Sequence, residues 1–441
     1  MRARVVLTLV LALLLASCGE DDGFFSTLST GAVTTSAGSE TAGGQVTTTI
    51  GATTTAAQAT TTTAPPAQAV WARVPQDEAV FGGADWQVMW GVDLGGPGVI
   101  GLGYDWSGGD GDAAVWTSPD GLAWSRVPHD EAVFGGAGTQ VVYALAPTPA
   151  GLVAVGYDSS GGDGNGAVWT SPDGLAWSRV PHDEAVFGGA DDQEIWDVSI
   201  GGPGLVAVGF DASGGDPDAA VWISADGLAW TRVPHDEVIL GGGGDQWMYV
   251  VVAGGPGLVG VGTDGSGGDW DAAVWTSTDG ITWTRVPHDE AVFGGNDDQE
   301  MWDAWAGGPG LVAVGRDYSG GDSDAAVWIS PDGLAWSRAP HDEVVFGGVG
   351  RQHMAAIVAT GSNLVVVGLD ETAEGDADAV VWVSPDGLTW SRVPHDEVVF
   401  GGDGGQEMEG VVLLGQTLVV VGSEKTGDDY DAAVWVGPSP G

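Results

Sequence analysis

From residue 70 onward, short apolar runs alternate with polar, glycine-rich turns, and no stretch carries a helical period. In one copy the runs 325–329 (Ala-Ala-Val-Trp-Ile) and 334–338 (Leu-Ala-Trp-Ser-Arg) flank Ser330-Pro331-Asp332-Gly333. Proline presets a turn φ, aspartate bonds its own backbone and glycine accepts positive φ, so the segment predicts a β-hairpin. Its first tryptophan recurs at Trp116, Trp169, Trp222, Trp275, Trp328, Trp382 and Trp435. A fixed period of this length with four short strands per unit predicts a β-propeller.

The second hairpin tryptophan occurs after the first six of these, and the chain ends soon after Trp435. The missing outer strand stands at the front, as Val70-Trp71-Ala72-Arg73-Val74-Pro75. The expectation is an all-β, seven-bladed β-propeller of four-stranded antiparallel blades over residues 70–441. An N-terminal strand completes the last blade and closes the ring, which removes an exposed sheet edge.

Residues 1–18 read differently. Arg2 and Arg4 precede an apolar run from Val5 to Leu15, followed by Ala16-Ser17-Cys18. This is the pattern of a secretory signal, too short for a membrane span. Its Leu-Ala-Ser-Cys ending resembles the bacterial lipobox, which implies cleavage before Cys18 and lipidation of its thiol. An ordinary signal peptide with an incidental cysteine is the alternative. Cys18 is the single cysteine, so no internal disulfide is expected. Residues 19–69 are rich in Thr, Ser, Ala and Gly, poor in large apolar side chains, and read as a disordered linker. Its threonine runs either carry O-linked sugar or are bare.

The chain holds 61 acidic residues against 12 Lys and Arg, a net charge of −49. All the acids but Glu20, Asp21, Asp22 and Glu40 lie in the repeats. Nucleic acid and anionic membrane surfaces are therefore excluded as partners, leaving the lipid anchor as the membrane contact. A monomer that meets a protein, a cationic peptide or a carbohydrate at the cell surface is expected. The location is extracytoplasmic, on the bacterial cell membrane through Cys18.

Ser-x-Asp-Gly-x-x-Trp recurs as Ser118/Asp120/Trp124, Ser171/Asp173/Trp177, Ser224/Asp226/Trp230, Ser277/Asp279/Trp283, Ser330/Asp332/Trp336 and Ser384/Asp386/Trp390. This resembles the Asp-box, or BNR repeat, of sialidase-like propellers, one residue shorter than the usual form. The resemblance implies a structural turn between third and fourth strands, on the face away from an active site. It also implies activities that range from glycan hydrolysis to pure binding. The three arginines with which a sialidase holds a carboxylate are not assembled here. The repeated arginines stand on the outermost strand, and Arg316 and Arg351 are the singular ones.

Two acidic segments share the opposite face. One reads Asp-x-Ser-Gly-Gly-Asp-x-Asp and offers calcium ligands at Asp105, Asp110 and Asp112; Asp211, Asp216 and Asp218; Asp264, Asp269 and Asp271; and Asp317, Asp322 and Asp324. Solvated turns capped by aspartate are the alternative, and no other cofactor is expected. The other reads Pro-His-Asp-Glu and carries His129, His182, His235, His288, His341 and His395 on separate blades.

Positions that break the repeat carry the most information. Each innermost strand begins with a glutamine: Gln87, Gln140, Gln193, Gln246, Gln299, Gln352 and Gln406. These predict an amide ring near the channel mouth. Beside it stand Trp90, Tyr143, Trp196, Tyr249, Trp302, Trp247 and His353, either as ligand platforms or as packing between blades. Glu194, Glu300, Glu407 and Glu409 are weak candidates for acid–base chemistry, and no catalytic residue is assigned. The leading expectation is a lipid-anchored binding module at the cell surface, leaning against an enzyme. A sialidase-like or other glycan-degrading hydrolase is the alternative, and an envelope ring without its own ligand is the third reading.

Overall fold

The structure, a computed structural model, describes residues 70–308, 310–371, 375–402, 404–427 and 429–440. The expected signal peptide with Cys18 (1–18) and the linker (19–69) lie outside the described residues. The repeats form seven four-stranded antiparallel sheets, each a blade. Blades one to six span 87–126, 140–179, 193–232, 246–285, 299–338 and 352–392. In blade five the strands run Gln299–Gly307, Gly310–Asp317, Asp324–Ser330 and Ser337–Arg338 from the inside out. Among the described residues the helical content is one turn, Glu184–Phe187, and no helix is long and apolar enough to cross a membrane.

The hairpin turn is built as its residues require. Ser330 Oγ accepts from the Gly333 amide at 2.8 Å, and Asp332 Oδ1 accepts from the Leu334 and Ala335 amides at 2.9 Å. Gly333 sits at φ +78°, a region closed to most side chains. Trp336 Nε1 donates back to the Gly333 carbonyl at 3.0 Å. The amides bonded to Asp332 lower its pKa.

The tryptophans that end this motif run from the turn into the core. Trp124, Trp177, Trp230, Trp283 and Trp390 are buried, at 6–8% exposure, and Trp336 is half-buried. Each of the five donates its indole N–H to the glycine carbonyl of its own turn, at Gly121, Gly174, Gly227, Gly280 and Gly387. With that one polar group satisfied, the apolar body of the ring can enter the core. Trp124, for example, joins the cluster of Val412, Val419 and Val421 from blade seven. Trp177, Trp230, Trp283 and Trp390 take the equivalent places in their own clusters. These rings fasten the turn to a neighbouring blade and present no face to a ligand.

The core lies between blades. Trp328 is fully buried, and its Nε1 donates to the Val292 carbonyl in the segment that enters its blade. Phe293 of that segment packs with Val259 and Val261 of blade four and Met301 and Leu311 of blade five. On the rim side, the Arg338 guanidinium lies 5.3 Å from the Trp328 ring centre and pairs with Asp317. Such a stack contributes about 0.5–1 kcal/mol at an exposed site and more when desolvated. The seven repeated arginines are all held this way, over Trp435, Trp116, Trp169, Trp222, Trp275, Trp328 and Trp382.

The strand Ala72–Arg73 pairs with the last strand, Asp429–Pro438, in the register Ala72↔Val436 and Arg73↔Trp435. Arg73 Nη1 meets Glu424 at 2.6 Å, and the Trp71 ring lies 5.7 Å from Phe400. The seventh blade is therefore built from both ends of the repeat region. Removing residues 70–76 should uncover the last strand's edge and strip the Trp71 and Val74 packing. The expected result is a melting point lower by several degrees, with concentration-dependent association in sedimentation.

Every innermost strand carries one register break; in blade five it falls between Met301 and Asp303. The second strand closes on it there. A Cβ on Gly315 would stand 2.0 Å from the Glu300 carbonyl oxygen, so glycine permits the approach.

Candidate functional site

The innermost strands pass a belt of side chains from blade to blade. The residue three places after each strand's glutamine meets the residue one place after the glutamine of the next blade. Tyr143 Oη donates to Glu194 at 3.3 Å. The Trp196 and Trp247 rings lie 6.0 Å apart, Tyr249 Oη donates to Glu300 at 3.5 Å, and Trp302 lies 4.6 Å from His353. Trp90 packs in one cluster with Val141.

The belt fails once. Blade six has Ala355 where the other blades carry a ring or an acid, and blade seven has Glu409. The effect on Glu407 follows from its two counterparts. Glu194 accepts from Trp196 Nε1 at 2.8 Å as well as from Tyr143. Glu300 accepts from Trp302 Nε1 at 2.8 Å, from Tyr249, and from Arg316 Nε at 2.9 Å. At Glu407 the indole is replaced by Glu409, the tyrosine by Ala355 and the cross-strand arginine by Ser423. Neither Glu407 nor Glu409 has a hydrogen bond among the described residues.

Burial pushes Glu407 up to about 7, partly opposed by the Arg351 charge. Burial and then the Glu407 charge push Glu409 up to about 8. Burial also raises Glu194 to about 7. Glu409 stands at the register break of its strand, between Met408 and Gly410, two places from Glu407 and within reach of its charge. Across the blade boundary is Tyr104, 3% exposed, whose hydroxyl has no partner. Both glutamates act on it electrostatically and raise its pKa, after burial.

The seven glutamines do not line the mouth. All are buried; Gln87 Nε2 donates to Asp105 Oδ1 and Ser107 Oγ, each at 2.9 Å. Gln87, Gln140, Gln193, Gln246 and Gln299 tie the first strand to the loop leaving the second in this way, whereas Gln352 and Gln406 donate to the carbonyls of Val349 and Gly404 just before their own strands. Trp247 is 2% exposed and packs on Trp196, Tyr249 and Trp270. His353 is 7% exposed, is held neutral by burial and by the charges of Arg316 and Arg351, and leaves Nδ1 unpaired. Trp90, Tyr143, Trp196, Tyr249 and Trp302 are half-buried.

Sequence reasoning passed over Tyr104 and three further acids on the innermost strands. Asp197 Oδ2 accepts from the Val251 amide and Asp303 Oδ2 from the Ile357 amide, each at 2.8 Å, stapling adjacent blades. Burial raises Asp93 and Asp197 to about 6 and Asp303 to about 7. Asp93 adds to the shift of Asp197, and Asp197 to that of Asp303. Acids at positions otherwise apolar or small were the available signal. All these groups bind protons more tightly folded than unfolded. Their stabilisation is complete below about pH 4, the unfolded carboxylate range, and is lost as pH rises through 6–8. The protein should therefore melt several degrees higher at pH 5 than at pH 8. Asp197→Asn with Asp303→Asn should flatten that dependence in thermal scans at both pH values.

The acidic loops divide in function. Asp264 accepts from Gln246 and from Ser266, and pairs with Arg285 at 2.7 Å. Asp105, Asp211 and Asp317 are likewise paired with Arg126, Arg232 and Arg338. The last aspartate of each loop instead meets the next segment's histidine and glutamate. His288 Nε2 lies 3.2 Å from Glu290 and 3.9 Å from Asp271. Five such trios can hold a metal ion: Asp112/His129/Glu131, Asp218/His235/Glu237, Asp271/His288/Glu290, Asp324/His341/Glu343 and Asp378/His395/Glu397. Asn165 stands in the place of the aspartate beside His182, and Gln76 in the place of the histidine at the closing blade.

No family model matches the chain, and no curated protein matches it. Solved structures do. A protein of unknown function from Dyadobacter fermentans is 14% identical, covering 84% of this chain and 98% of its own at a TM-score of 0.47. Trypanosoma rangeli sialidase is 15% identical over 85% of this chain and 60% of its own, TM-score 0.45. A Bacteroides uniformis protein provisionally named a 6-phosphogluconolactonase is 13% identical over 74% and 92%, TM-score 0.47. These likenesses are of fold: a seven-bladed propeller resembling sialidase folds at low identity. Within this fold, Glu407 and Glu409 of blade seven form a neighbouring carboxyl pair with pKa values pushed up to about 7 and about 8. The sequence-based leaning against an enzyme rested on finding no acid–base constellation, and it is corrected here.

Proposed function

We propose that this chain is a glycan-degrading hydrolase, displayed outside the cytoplasm on lipidated Cys18, with Glu407 and Glu409 as its acid–base pair. The observation that carries the reading is the gap in the belt. There the buried Glu407 carboxyl lacks every side-chain partner that its counterparts Glu194 and Glu300 keep, and a second, half-buried carboxyl, Glu409, stands where those two have an indole. At neutral pH Glu409 holds its proton and serves as general acid, while Glu407, beside the Arg351 charge, serves as nucleophile or base. Glu409 gives its proton to the glycosidic oxygen as the C–O bond breaks, and water, assisted by Glu407, completes the sugar. Glu407 acts electrostatically on Glu409 two places along the strand, and a neighbouring carboxyl pair is what glycoside hydrolysis requires. The half-buried rings of Trp90, Tyr143, Trp196, Tyr249 and Trp302 offer faces to sugar C–H groups. The chemistry differs from a sialidase's, because Arg316 is committed to Glu300 and Arg351 to Glu371. Reducing-end release from a panel of neutral, amino and acidic oligosaccharides tests the reading. Turnover with an optimum near pH 7, absent from the Glu407→Gln/Glu409→Gln variant, is expected. Equal release by both proteins, or none from any glycan, overturns it.

Calcium belongs to the same reading as a clamp between blades. The five trios supply one nitrogen and two carboxylates, with water completing the shell. After EDTA treatment, millimolar calcium should raise the unfolding midpoint. An equal rise with magnesium would remove calcium from the account.

A further inference from the structure

We infer that the gap at Glu407 and Glu409 takes glycans with free, positively charged amino groups, that is, unacetylated amino sugars. This rests on the reading of the mouth as a glycan site and names its substrate class. Three observations converge. The first is charge. The mouth and channel wall carry Glu194, Glu300, Glu407, Glu409, Asp93, Asp197 and Asp303, and the two neighbouring guanidinium groups already have carboxylate partners, Glu300 and Glu371. An anionic sugar finds no free cation among these groups, in a chain of net charge −49.

The second observation is unmet hydrogen bonding. The Tyr104 hydroxyl, on a residue 3% exposed and within the electrostatic reach of Glu407 and Glu409, lacks a partner beside two carboxyls that also lack them. Such a vacancy in buried polar groups costs stability unless a ligand fills it. An ammonium group supplies three donors, matching the Glu407 carboxylate, an oxygen of the Glu409 carboxyl and the Tyr104 oxygen. An acetamide in its place brings one N–H, no charge, and bulk. The third is the wall. The half-buried Trp90 ring packs on Tyr104 at 6.4 Å between centres, an aromatic wall of the kind that attracts a cation.

The test uses the full-length protein and titration calorimetry at about 0.15 M ionic strength, where long-range attraction is screened. The probes are the β-1,4-linked disaccharide of glucosamine, its di-N-acetylated counterpart and a disaccharide containing a uronic acid. The free-amine form should bind at least about tenfold more tightly than either. That preference should vanish in Glu407→Gln/Glu409→Gln, which leaves nearly all the protein's diffuse charge in place. Ala355→Trp restores the belt and should abolish binding by filling the gap, with the melting point kept as a check on folding. Equal binding of the acetylated form, binding untouched by either variant, or no binding of the free-amine form overturns the inference. Its fate is separable from that of the hydrolase reading. Amine-selective binding without turnover leaves this inference standing and removes the hydrolase. Turnover of neutral or N-acetylated glycans without preference does the reverse.

Discussion

Glu409→Gln should lower kcat on a cleavable glycan by about 10²–10⁴, the usual contribution of a positioned general acid. The folded protein should not suffer. Glutamine removes a carboxyl that burial penalises when ionised, so the melting point at pH 8 should hold or rise. Glu407→Gln should give a similar loss of rate, because the two groups act on one bond. Glu194→Gln is the internal control. It sits in the same belt with a similarly raised pKa, but Trp196 and Tyr143 already occupy its oxygens. Its activity should stay within a few-fold of the parent. A large loss in Glu194→Gln beside a small one in Glu409→Gln would move the chemistry from blade seven to blade three.

The second large effect is on stability. Arg316 and Glu300 are each 3% exposed in their side chains and pair with one another in the channel wall. The guanidinium also lies 4.5 Å from the Trp302 ring centre and 4.9 Å from that of Tyr318, and donates to the Tyr318 hydroxyl. Glu300→Gln leaves that buried cation without its counter-charge, which should cost about 3–5 kcal/mol in urea unfolding. Arg316→Met should cost less, because Glu300 keeps the Trp302 and Tyr249 donors. The double variant should recover most of the loss, giving a coupling energy that marks the pair as structural. Additive losses would show that the two side chains act independently.

The architecture was legible because its determinants are local and repeated. Trp328, the turn 330–333 and Trp336 each declare a strand or turn within a few residues, and seven phased copies leave little freedom in assembly. Even the closing strand could be read, since Trp71 and Arg73 reproduce the outer-strand motif. The site was legible only in part. Ala355 and Glu409 stand out as breaks in the pattern, but the contact that gives them meaning joins one blade to the next, about fifty residues away. No local pattern shows that Ala355 uncovers Glu407 or that Tyr104 stands opposite. The glutamines misled for the converse reason. Their regularity suggested a ligand ring, while a buried bond of the kind Gln87 makes to Asp105 and Ser107 uses the same residue in blades one to five. Trp124 and its counterparts belong to the turn by sequence, yet the blade that buries each ring lies far along the chain. The acidic loop read as one unit, yet Asp264 turns to an arginine and Asp271 to a histidine, a division set by strand register.

The pairing of Ala72–Arg73 with the last strand has a consequence in time. Arg73 and its partner Glu424 are 351 residues apart in sequence. At about 5–20 residues per second, the first strand is made roughly 20–70 s before its partner. Six blades can assemble in that interval while the seventh is still missing, so the nascent protein passes through an open arc with two raw edges. The ring is a latch that shuts last, and the molecule is most exposed to proteases and to other copies of itself just before residues 429–438 are made.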